Sequence, residues 1–278
     1  AFAQQELPKR NISYSFADNT AESYKLAQKA NTRLIYIETP ANPLLNIVPL
    51  REIADFAKSL GIVTVVDNTF ASPINQQPLL LGIDIAVHSG TKYLGGHNDL
   101  PFGALASNIM DQKEPVLSTA KIYGGALSPV QCYQVERSLK TLSLRINQQN
   151  ANASKIAAFL EEHPAVARVY YPGLPSHPDH KTAKEQMMGF GGMLSFELDI
   201  SADNVISFLR SLKVIRPALS LGGVESLICV PASTSHRNLN SAQRQSLNIK
   251  DNLFRFSAGI EDADDLIEDL RLAIFTVV

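Results

Sequence analysis

One lysine stands in a setting that favours chemistry over a plain surface role. Lys92 lies in the segment His88–His97, directly after an apolar run that predicts a β-strand. The hydroxyl residues Ser89 and Thr91 flank it, and glycines follow on both sides. Open α/β sheets bind ligands at the carboxyl ends of their strands, and hydroxyl and backbone N–H groups of such a loop bind phosphate. A single lysine is usually a solvated charge, so the context carries the assignment.

A carboxylate follows a neighbouring predicted strand. Asp67 ends the apolar run Ile62–Val66, and taken alone it would be a turn residue or a helix cap. A lysine amine beside a phosphate site is what pyridoxal-phosphate (PLP) chemistry requires. A carboxylate against the pyridine nitrogen favours its protonated form, which is the form that withdraws electrons. Lys92 and Asp67 together therefore predict a PLP site in which Lys92 holds the cofactor as a Schiff base.

The hydrophobic pattern shows which elements must position these residues. Continuous apolar runs that alternate with helical patterns are typical of a parallel sheet covered on both faces. The predicted strands are Leu34–Ile37, Ile62–Val66, Ile83–Val87 and Phe102–Ala106. Apolar residues at helical spacing predict a helix over Pro49–Leu60, and a long helical stretch is expected over Pro129–Leu160.

The pattern changes after this long helix. Strands are predicted over Val166–Tyr171, Met193–Leu198 and Leu253–Ser257, and helices over Asn204–Leu212 and Ala263–Ile274. The second half therefore reads as an α+β unit of ordinary domain size. We expect a PLP-binding large domain over residues 1–145 and a smaller C-terminal α+β domain over residues 146–278.

Composition excludes several classes of function. The chain of 278 residues is 45% hydrophobic and 19% charged, with a formal net charge of -2. This balance indicates a globular protein with neither a nucleic-acid nor a membrane partner. Cys132 and Cys229 are far apart and lack metal-ligand spacing, which fits a reducing compartment, so we expect a cytoplasmic protein. His177 and His180 have no convincing third ligand, so no metal is expected.

Six motifs stand in the order found in one enzyme family. They are Glu38–Pro43, Val66–Phe70, Ser89–His97, Tyr171–Pro178, Ser220–Leu227 and Arg255–Asp262. The chain resembles the PLP enzymes of cysteine and methionine metabolism, which include cystathionine γ-synthase, the cystathionine β- and γ-lyases and methionine γ-lyase. The resemblance covers nearly the whole chain. It implies the aminotransferase-like fold type I, small amino-acid substrates and a homo-oligomer built as a dimer of dimers.

The resemblance also implies a role for each of seven residues. Lys92 matches the Schiff-base lysine, Asp67 the partner of the pyridine nitrogen, Ser89 and Thr91 the phosphate ligands, Asn42 the amide at the phenolic oxygen, and Ser220 and Arg255 the α-carboxylate anchor. The planar guanidinium suits that last role because it binds a carboxylate through two parallel hydrogen bonds. Without the resemblance, Arg255 would read as an ion-pair partner of Glu261 or Asp262, and Asn42 as a turn residue.

Departures from the family pattern limit the functional prediction. Family members usually carry over a hundred further residues before the point where this chain starts, including phosphate-binding groups, so we expect an N-terminally incomplete chain with impaired cofactor binding. Pro101 and Phe102 stand where relatives have smaller or aliphatic residues, and the uncharged Cys229 favours a lyase over a synthase.

Several functional alternatives stay open. The prediction is a carbon–sulfur lyase of transsulfuration that acts on cystathionine-type amino acids. The alternative within the family is a cystathionine γ-synthase or a related sulfhydrylase. Outside it, a non-catalytic remnant of the PLP fold would serve as a binding or assembly subunit. Aminotransfer is disfavoured by the ordered motifs, and nicotinamide binding by the absence of Gly-x-Gly-x-x-Gly after the first strand.

Overall fold

The first half of the chain forms a four-stranded sheet. The computed structural model describes residues 2–278, and of residues 110–113 the backbone alone. The strands lie in the order β1 to β4, with bounds Leu34–Glu38, Val63–Asp67, Ile85–Ser89 and Gly103–Ser107. Strands β1, β2 and β3 are parallel, and β4 runs antiparallel to β3. The predicted strands are confirmed, in a sheet that is parallel except at one edge.

Helices pack against both halves of the chain. Within residues 2–278 the α-helices are α1 Phe2–Gln5, α2 Ala21–Ala27, α3 Leu50–Ser59, α4 Ser72–Asn75, α5 Met110–Ile122, α6 Pro129–Leu139, α7 Leu142–Glu162, α8 His180–Gln186, α9 Ala202–Ser211, α10 Ser241–Ser246 and α11 Ala263–Phe275. In α3, the buried residues Ile53, Ala54 and Ala57 recur at helical spacing and pack with Ile37 and Val66 of the sheet.

A five-stranded sheet organises the second half. Its strands lie in the order β5-β6-β9-β8-β7, with bounds Val166–Tyr170, Met193–Leu198, Leu253–Ser257, Leu227–Cys229 and Arg216–Pro217. The central strands β6 and β9 are buried along their whole length. The ring of Phe254 stacks on Phe196 with centroids 5.5 Å apart and meets Phe208 edge-on at 4.8 Å, so aromatic packing anchors this core.

The prediction of one long helix over Pro129–Leu160 is wrong in one respect. The stretch is divided between α6, which ends at Leu139, and α7, which begins at Leu142. At the break, the Thr141 hydroxyl donates to the Ser138 carbonyl oxygen at 3.2 Å and accepts from the Arg145 Nε at 3.1 Å. Threonine competes in this way for backbone groups that a continuous helix would use.

Several short elements were not predicted from the sequence. The strands β7 and β8 are two and three residues long, too short to show a period. The helix α5 contains Pro115, which disguises its pattern. These gaps do not alter the α/β fold class.

Helix α7 connects the two sheets. Its first turn packs through Leu142 and Ile146 against the segment that follows Lys92, and its later turns contribute to the core of the second sheet. In the middle, the Asn152 amide donates to the carbonyl oxygens of Gly259 at 3.0 Å and Glu261 at 2.8 Å. Strand β9 is thereby held at a defined place relative to β3. Within residues 2–278, no helix is long and apolar enough to cross a bilayer.

Candidate active site

Lys92 lies in a tight turn at the carboxyl end of β3. The Lys92 N–H donates to the Ser89 carbonyl oxygen at 3.1 Å, and the Gly96 N–H donates to the Lys92 carbonyl oxygen at 2.7 Å. A third bond joins the Gly95 N–H to the Gly90 carbonyl oxygen at 2.8 Å. These backbone bonds hold the turn, while the side chain of Lys92 is half-buried. Among the described residues, no carboxylate forms a salt bridge with it.

A buried arginine holds this turn through hydrogen bonds to its carbonyl oxygens. The guanidinium of Arg145, only 4% exposed, donates through Nη1 to the Tyr93 carbonyl oxygen at 2.8 Å and through Nη2 to that of Ser138 at 3.0 Å. Burial lowers the pKa of Arg145. A Cβ at Gly96, whose φ is +73°, would overlap the guanidinium. The glycine therefore allows the arginine to reach the carbonyl groups that follow Lys92.

Asp67 ends β2 beside this turn. Its Oδ1 accepts hydrogen bonds from the Thr69 N–H at 3.0 Å and from the Thr69 hydroxyl. The same hydroxyl accepts from the Ser89 N–H at 2.8 Å. The Oδ2 atom has a single weak contact, with the Tyr36 hydroxyl at 3.5 Å. One oxygen of the carboxylate is thus used within the protein, and the other is available to a ligand.

A loop from the second half of the chain lies directly on the lysine turn. A Cβ at Gly222 would come within 3.0 Å of the Tyr93 nitrogen and 3.2 Å of the Lys92 carbonyl carbon, and the φ of Gly222 is +75°. The Gly222 N–H donates to the Ser257 hydroxyl at 2.9 Å, and the Gln149 amide donates to the Gly223 carbonyl oxygen at 2.7 Å. Glycine is required here because of both the left-handed backbone and the close approach.

The same loop surrounds Arg255 of β9. Its Nη2 donates to the Leu219 carbonyl oxygen at 2.9 Å, and its Nη1 donates to the Asn42 Oδ1 at 3.2 Å. Arg255 is 4% exposed, and no carboxylate of the described residues pairs with it. A bound carboxylate would neutralise this buried charge.

The alternative ion pairs of Arg255 do not form. The Glu261 carboxylate accepts from the Ser226 N–H at 2.6 Å and from the Ser226 hydroxyl at 2.8 Å. The Asp262 carboxylate caps α11 by accepting from the Asp264 N–H at 2.8 Å. Both acidic side chains are engaged elsewhere, which leaves the charge of Arg255 free of an internal partner among the described residues.

Burial and charge shift several pKa values around the site. Burial lowers the pKa of Lys92, and the neighbouring Arg255 lowers it further, so the neutral, nucleophilic amine is favoured. Burial also lowers the pKa of His88, against the opposing effect of Asp67. For Glu38, beside Asp67 in the sheet, burial raises the pKa and the charge of Asp67 adds to the shift.

The donor set fits PLP. Ser89 has an exposed side chain whose hydroxyl has no partner among the described residues. The Thr91 hydroxyl accepts from the Phe102 N–H at 3.1 Å and reaches the Phe102 carbonyl oxygen only at 3.5 Å, so its proton is available to a phosphate. Asn42 directs its carbonyl oxygen towards Arg255, which leaves its NH₂ group for an oxygen acceptor.

Ser220 lies near Arg255, and its hydroxyl is engaged with another residue. Its hydroxyl donates to the Asn98 Oδ1 at 3.0 Å, and the Asn98 Nδ2 donates to the Glu225 Oε2 at 3.1 Å. The Ser220 hydroxyl must turn away from Asn98 to donate to a bound carboxylate. Of the seven predicted site residues, it is the one whose contacts differ most from the expected role.

The histidines of the motifs have structural contacts. Nδ1 of His97 is 2.9 Å from the Gly95 carbonyl oxygen, Nδ1 of His180 is 2.8 Å from that of Pro172, and Nε2 of His177 is 3.4 Å from that of Leu44. Within the described residues, no group of three potential metal ligands comes together.

Three residues that support the site were not predicted from the sequence: Arg145, Thr69 and Asn98. The Val66–Phe70 motif contains Thr69, but a threonine there has no distinctive chemistry until its contacts are known. Arg145 interrupts the apolar pattern of α7 at a buried position, a signal that could have identified it. Asn98 has a φ of 57°, which the sequence Gly-His-Asn-Asp does not disclose.

Known proteins share this arrangement of fold and sequence. Residues 1–275 match the family model described as "Cys/Met metabolism PLP-dependent enzyme". Over 269 residues the chain is 47% identical to a cystathionine gamma-lyase of Bacillus subtilis (strain 168), covering 96% of this chain and 71% of that relative. It is 45% identical to a cystathionine beta-lyase of Lactococcus lactis subsp. cremoris (strain MG1363), covering 96% and 70%. A crystal structure of cystathionine gamma-lyase from Lactobacillus plantarum with L-serine superimposes with a TM-score of 0.95 at 38% identity, covering 99% and 72%.

These findings define the class: a PLP-dependent enzyme of fold type I. The chain belongs to the Cys/Met metabolism family of PLP-dependent enzymes. The predicted family, fold and cofactor are thereby confirmed. The relatives include both a gamma-lyase and a beta-lyase at nearly equal identity, so they identify carbon–sulfur chemistry without choosing between the two reactions.

The packing of Phe102 against Gly90 can be tested with a second substitution that offsets the first. A Cβ at Gly90 would overlap the Phe102 ring, so Gly90→Ala should destabilise the chain by about 1–3 kcal/mol. Removing the ring in Gly90→Ala/Phe102→Ala should recover part of that loss, giving a coupling free energy above about 0.5 kcal/mol in urea unfolding. The matched control is Gly103→Ala, because a Cβ there meets only the His88 carbonyl oxygen at 3.9 Å. Additive effects of Gly90 and Phe102 substitutions would contradict the packing argument.

The effect of Arg255 on the pKa of Lys92 can be tested by substitution. Arg255→Gln removes one of the two causes that lower the pKa of Lys92, so this pKa should rise. The fraction of neutral amine at neutral pH then falls, and the pH midpoint of Lys92 acetylation by trace acetic anhydride moves upward. Peptide mass spectrometry measures it, with the exposed Lys181 as an internal reference. A midpoint that stays or falls would show that Arg255 does not act on Lys92.

Proposed function

We propose that the chain is a carbon–sulfur lyase that acts on cystathionine-type amino acids. The observation that carries this proposal is the placement of two unpaired cationic groups: the half-buried Lys92 and the buried Arg255 face one site, without a carboxylate salt bridge among the described residues. An α-amino acid offers a carboxylate for Arg255 and an acidic Cα–H for Lys92. The lyase names of the relatives support the reaction type.

Each residue has a defined task in this proposal. Bound PLP supplies an electron sink for the carbanion at the substrate Cα. Lys92 would hold the cofactor, and its amine would remove the α-proton of the substrate, because its lowered pKa favours the neutral base. Asp67 uses its available Oδ2 to hold the proton on the pyridine nitrogen, and Ser89 and Thr91 bind the phosphate.

The remaining residues orient the substrate. Arg255 binds the α-carboxylate through its free N–H groups, and Ser220 adds a hydrogen bond after it leaves Asn98. Asn42 contacts Arg255 at 3.2 Å and donates its NH₂ to the phenolic oxygen of the cofactor, so it couples the anchor to the ring. Departure of the thiolate from the β-carbon would require removal of the α-proton alone, whereas departure from the γ-carbon would also require removal of a β-proton. Lys92 is the proposed acceptor of these protons and, once protonated, the proposed donor to the leaving thiolate.

Product analysis tests the reaction. With PLP and cystathionine, the chain should release pyruvate if elimination is at the β-carbon, or 2-oxobutanoate if it is at the γ-carbon. Lys92→Ala should abolish release, and Arg255→Lys should lower kcat/KM by roughly 10- to 100-fold, since losing the fork geometry costs about 1–3 kcal/mol. Lys155→Ala and Arg210→Lys, both at exposed positions, are the matched controls. Turnover only with an activated homoserine ester plus cysteine would replace the lyase by a synthase.

We also propose that the chain assembles into a homo-oligomer, a dimer of dimers. Helix α6 begins after its cap Ser128 and has no buried residue. Its apolar residues Val130 and Tyr133 are 68% and 65% exposed. Ile122, the last residue of α5, and the following Tyr123 are 75% and 76% exposed. An apolar helical face of this kind is stable when a second copy covers it.

The unpaired thiols of Cys132 and Cys229 support a cytoplasmic location, and the packing of α7 supports a domain boundary near residue 145.

A measurement of mass tests the assembly. Light scattering should give a multiple of the 30.4 kDa chain mass. Tyr133→Glu places a charge in the proposed contact and should lower the mass, whereas Gln245→Glu on the exposed helix α10 should not. A parent chain that is monomeric at micromolar concentration would contradict the proposal.

A further inference from the structure

Thr69 joins two strand ends that the proposed function assigns to opposite ends of the cofactor. Its hydroxyl donates to Oδ1 of Asp67 and accepts from the N–H of Ser89 at 2.8 Å. Its own N–H donates to the same Oδ1 at 3.0 Å. A single side chain therefore connects the end of β2 to the first residue of the lysine turn.

The environment of Thr69 makes this connection specific. The residue is 9% exposed, so water does not readily replace its contacts. A hydroxyl has one proton to donate, and here that proton goes to Asp67 while a lone pair receives the Ser89 N–H. The last pair of facing residues in the β2–β3 ladder is Asp67 with Val87, so the ladder ends before Ser89. Thr69 extends the connection of the strands beyond the point where backbone bonds stop.

The contacts also decide which oxygen of Asp67 is available. Both bonds from Thr69 go to Oδ1, and Oδ2 has only the Tyr36 hydroxyl at 3.5 Å. The carboxylate is thus fixed in rotation, with Oδ2 left to accept from a ring N–H. Without the Thr69 hydroxyl, Asp67 would be held by one backbone bond and the Ser89 N–H would lose its partner.

We propose that Thr69 is a positioning residue that sets the distance and orientation between Asp67 and the lysine turn. The inference rests on the proposed roles of Asp67 and Ser89. PLP is a rigid ring with its nitrogen on one side and its phosphate arm on the other, so it binds well only when both partners are correctly spaced. Thr69 holds this spacing before the cofactor arrives, and it also keeps Oδ2 directed at the pyridine nitrogen.

The chain offers a matched control near the start of β2, the strand that ends two residues before Thr69. Thr64 of β2 contacts Asp84, whose Oδ2 accepts from the Thr64 N–H at 2.7 Å and from its hydroxyl at 2.9 Å. The Thr64 hydroxyl in turn accepts from the Asp84 N–H at 3.0 Å. The two threonines have the same kinds of hydrogen bond, and both are buried, but Thr64 lies towards the other end of the strand. Thr64→Val therefore reports the stability effect alone.

Three variants test the inference: Thr69→Val, Thr69→Ser and Thr64→Val. Thr69→Val should raise the Kd for PLP by tenfold or more, the scale of a lost buried hydrogen bond to a charged group. It should also speed hydrogen exchange of the Ser89 amide in the PLP-free chain. With ¹⁵N-labelled PLP, the NMR shift of the ring nitrogen should report a lower pKa for its proton. Thr69→Ser should restore all three values to within about threefold of the parent, since it retains the hydroxyl.

The outcomes separate the inference from the proposed function. Thr64→Val should lower the thermal midpoint as Thr69→Val does, with PLP affinity and the ¹⁵N shift unchanged. If the parent binds PLP and Thr69→Val binds it equally well, or if Thr64→Val weakens binding as much, the role of Thr69 is refuted and the proposed function stands. A parent chain that binds no PLP even at millimolar cofactor concentration overturns both.

Discussion

The close approach of the Leu219–Gly223 loop to the lysine turn is the constraint on which the site depends. It brings Arg255, carried by the second sheet, within electrostatic range of Lys92, carried by the first. Gly222 makes it possible because any side chain there would meet the backbone of Lys92 and Tyr93. The positive charge of Arg255 disfavours the protonated form of Lys92. In the proposed function an anionic ligand would offset that repulsion, so carboxylate and phosphate binding would follow from how the two halves of the chain meet.

Buried charge is accommodated differently at the two arginines. Arg145 is surrounded by carbonyl oxygens of the turn and of the break between α6 and α7, so its donors are used inside the protein. Arg255 has the same kinds of neutral partner, but it also lowers the pKa of Lys92. In the proposed function the first arginine holds a loop in place, and the second binds the substrate carboxylate. Neither exposure nor the kind of partner distinguishes the two, since both are 4% exposed and both bond to neutral oxygens; the position of Arg255 near Lys92 does.

The sequence predicted the parts of the fold with a clear hydrophobic pattern. The runs Leu34–Ile37 and Ile62–Val66 are mostly apolar, and α3 repeats its buried residues at helical spacing, so β1, β2 and α3 were identified with a small error in their bounds. The break at Thr141 was not, because it arises from a side chain that bonds to Ser138 and Arg145 across the turn. Hydrogen bonds of this kind depend on tertiary placement, which local pattern does not contain.

The same limit applies to the site. Lys92, Asp67 and Arg255 were identified because each carries a charge in a motif with its own chemistry, whereas Thr69 was passed over in a motif that had been noticed. A neutral hydroxyl becomes important only through what it touches, and Thr69 touches Asp67 and Ser89. The charged residues proposed to react can therefore be recognised in the sequence, whereas the neutral residues that hold them at the right spacing are recognised only in the structure. A gamma-lyase and a beta-lyase match this chain at nearly equal identity, so we expect the difference between the two reactions to lie in the groups that position the substrate.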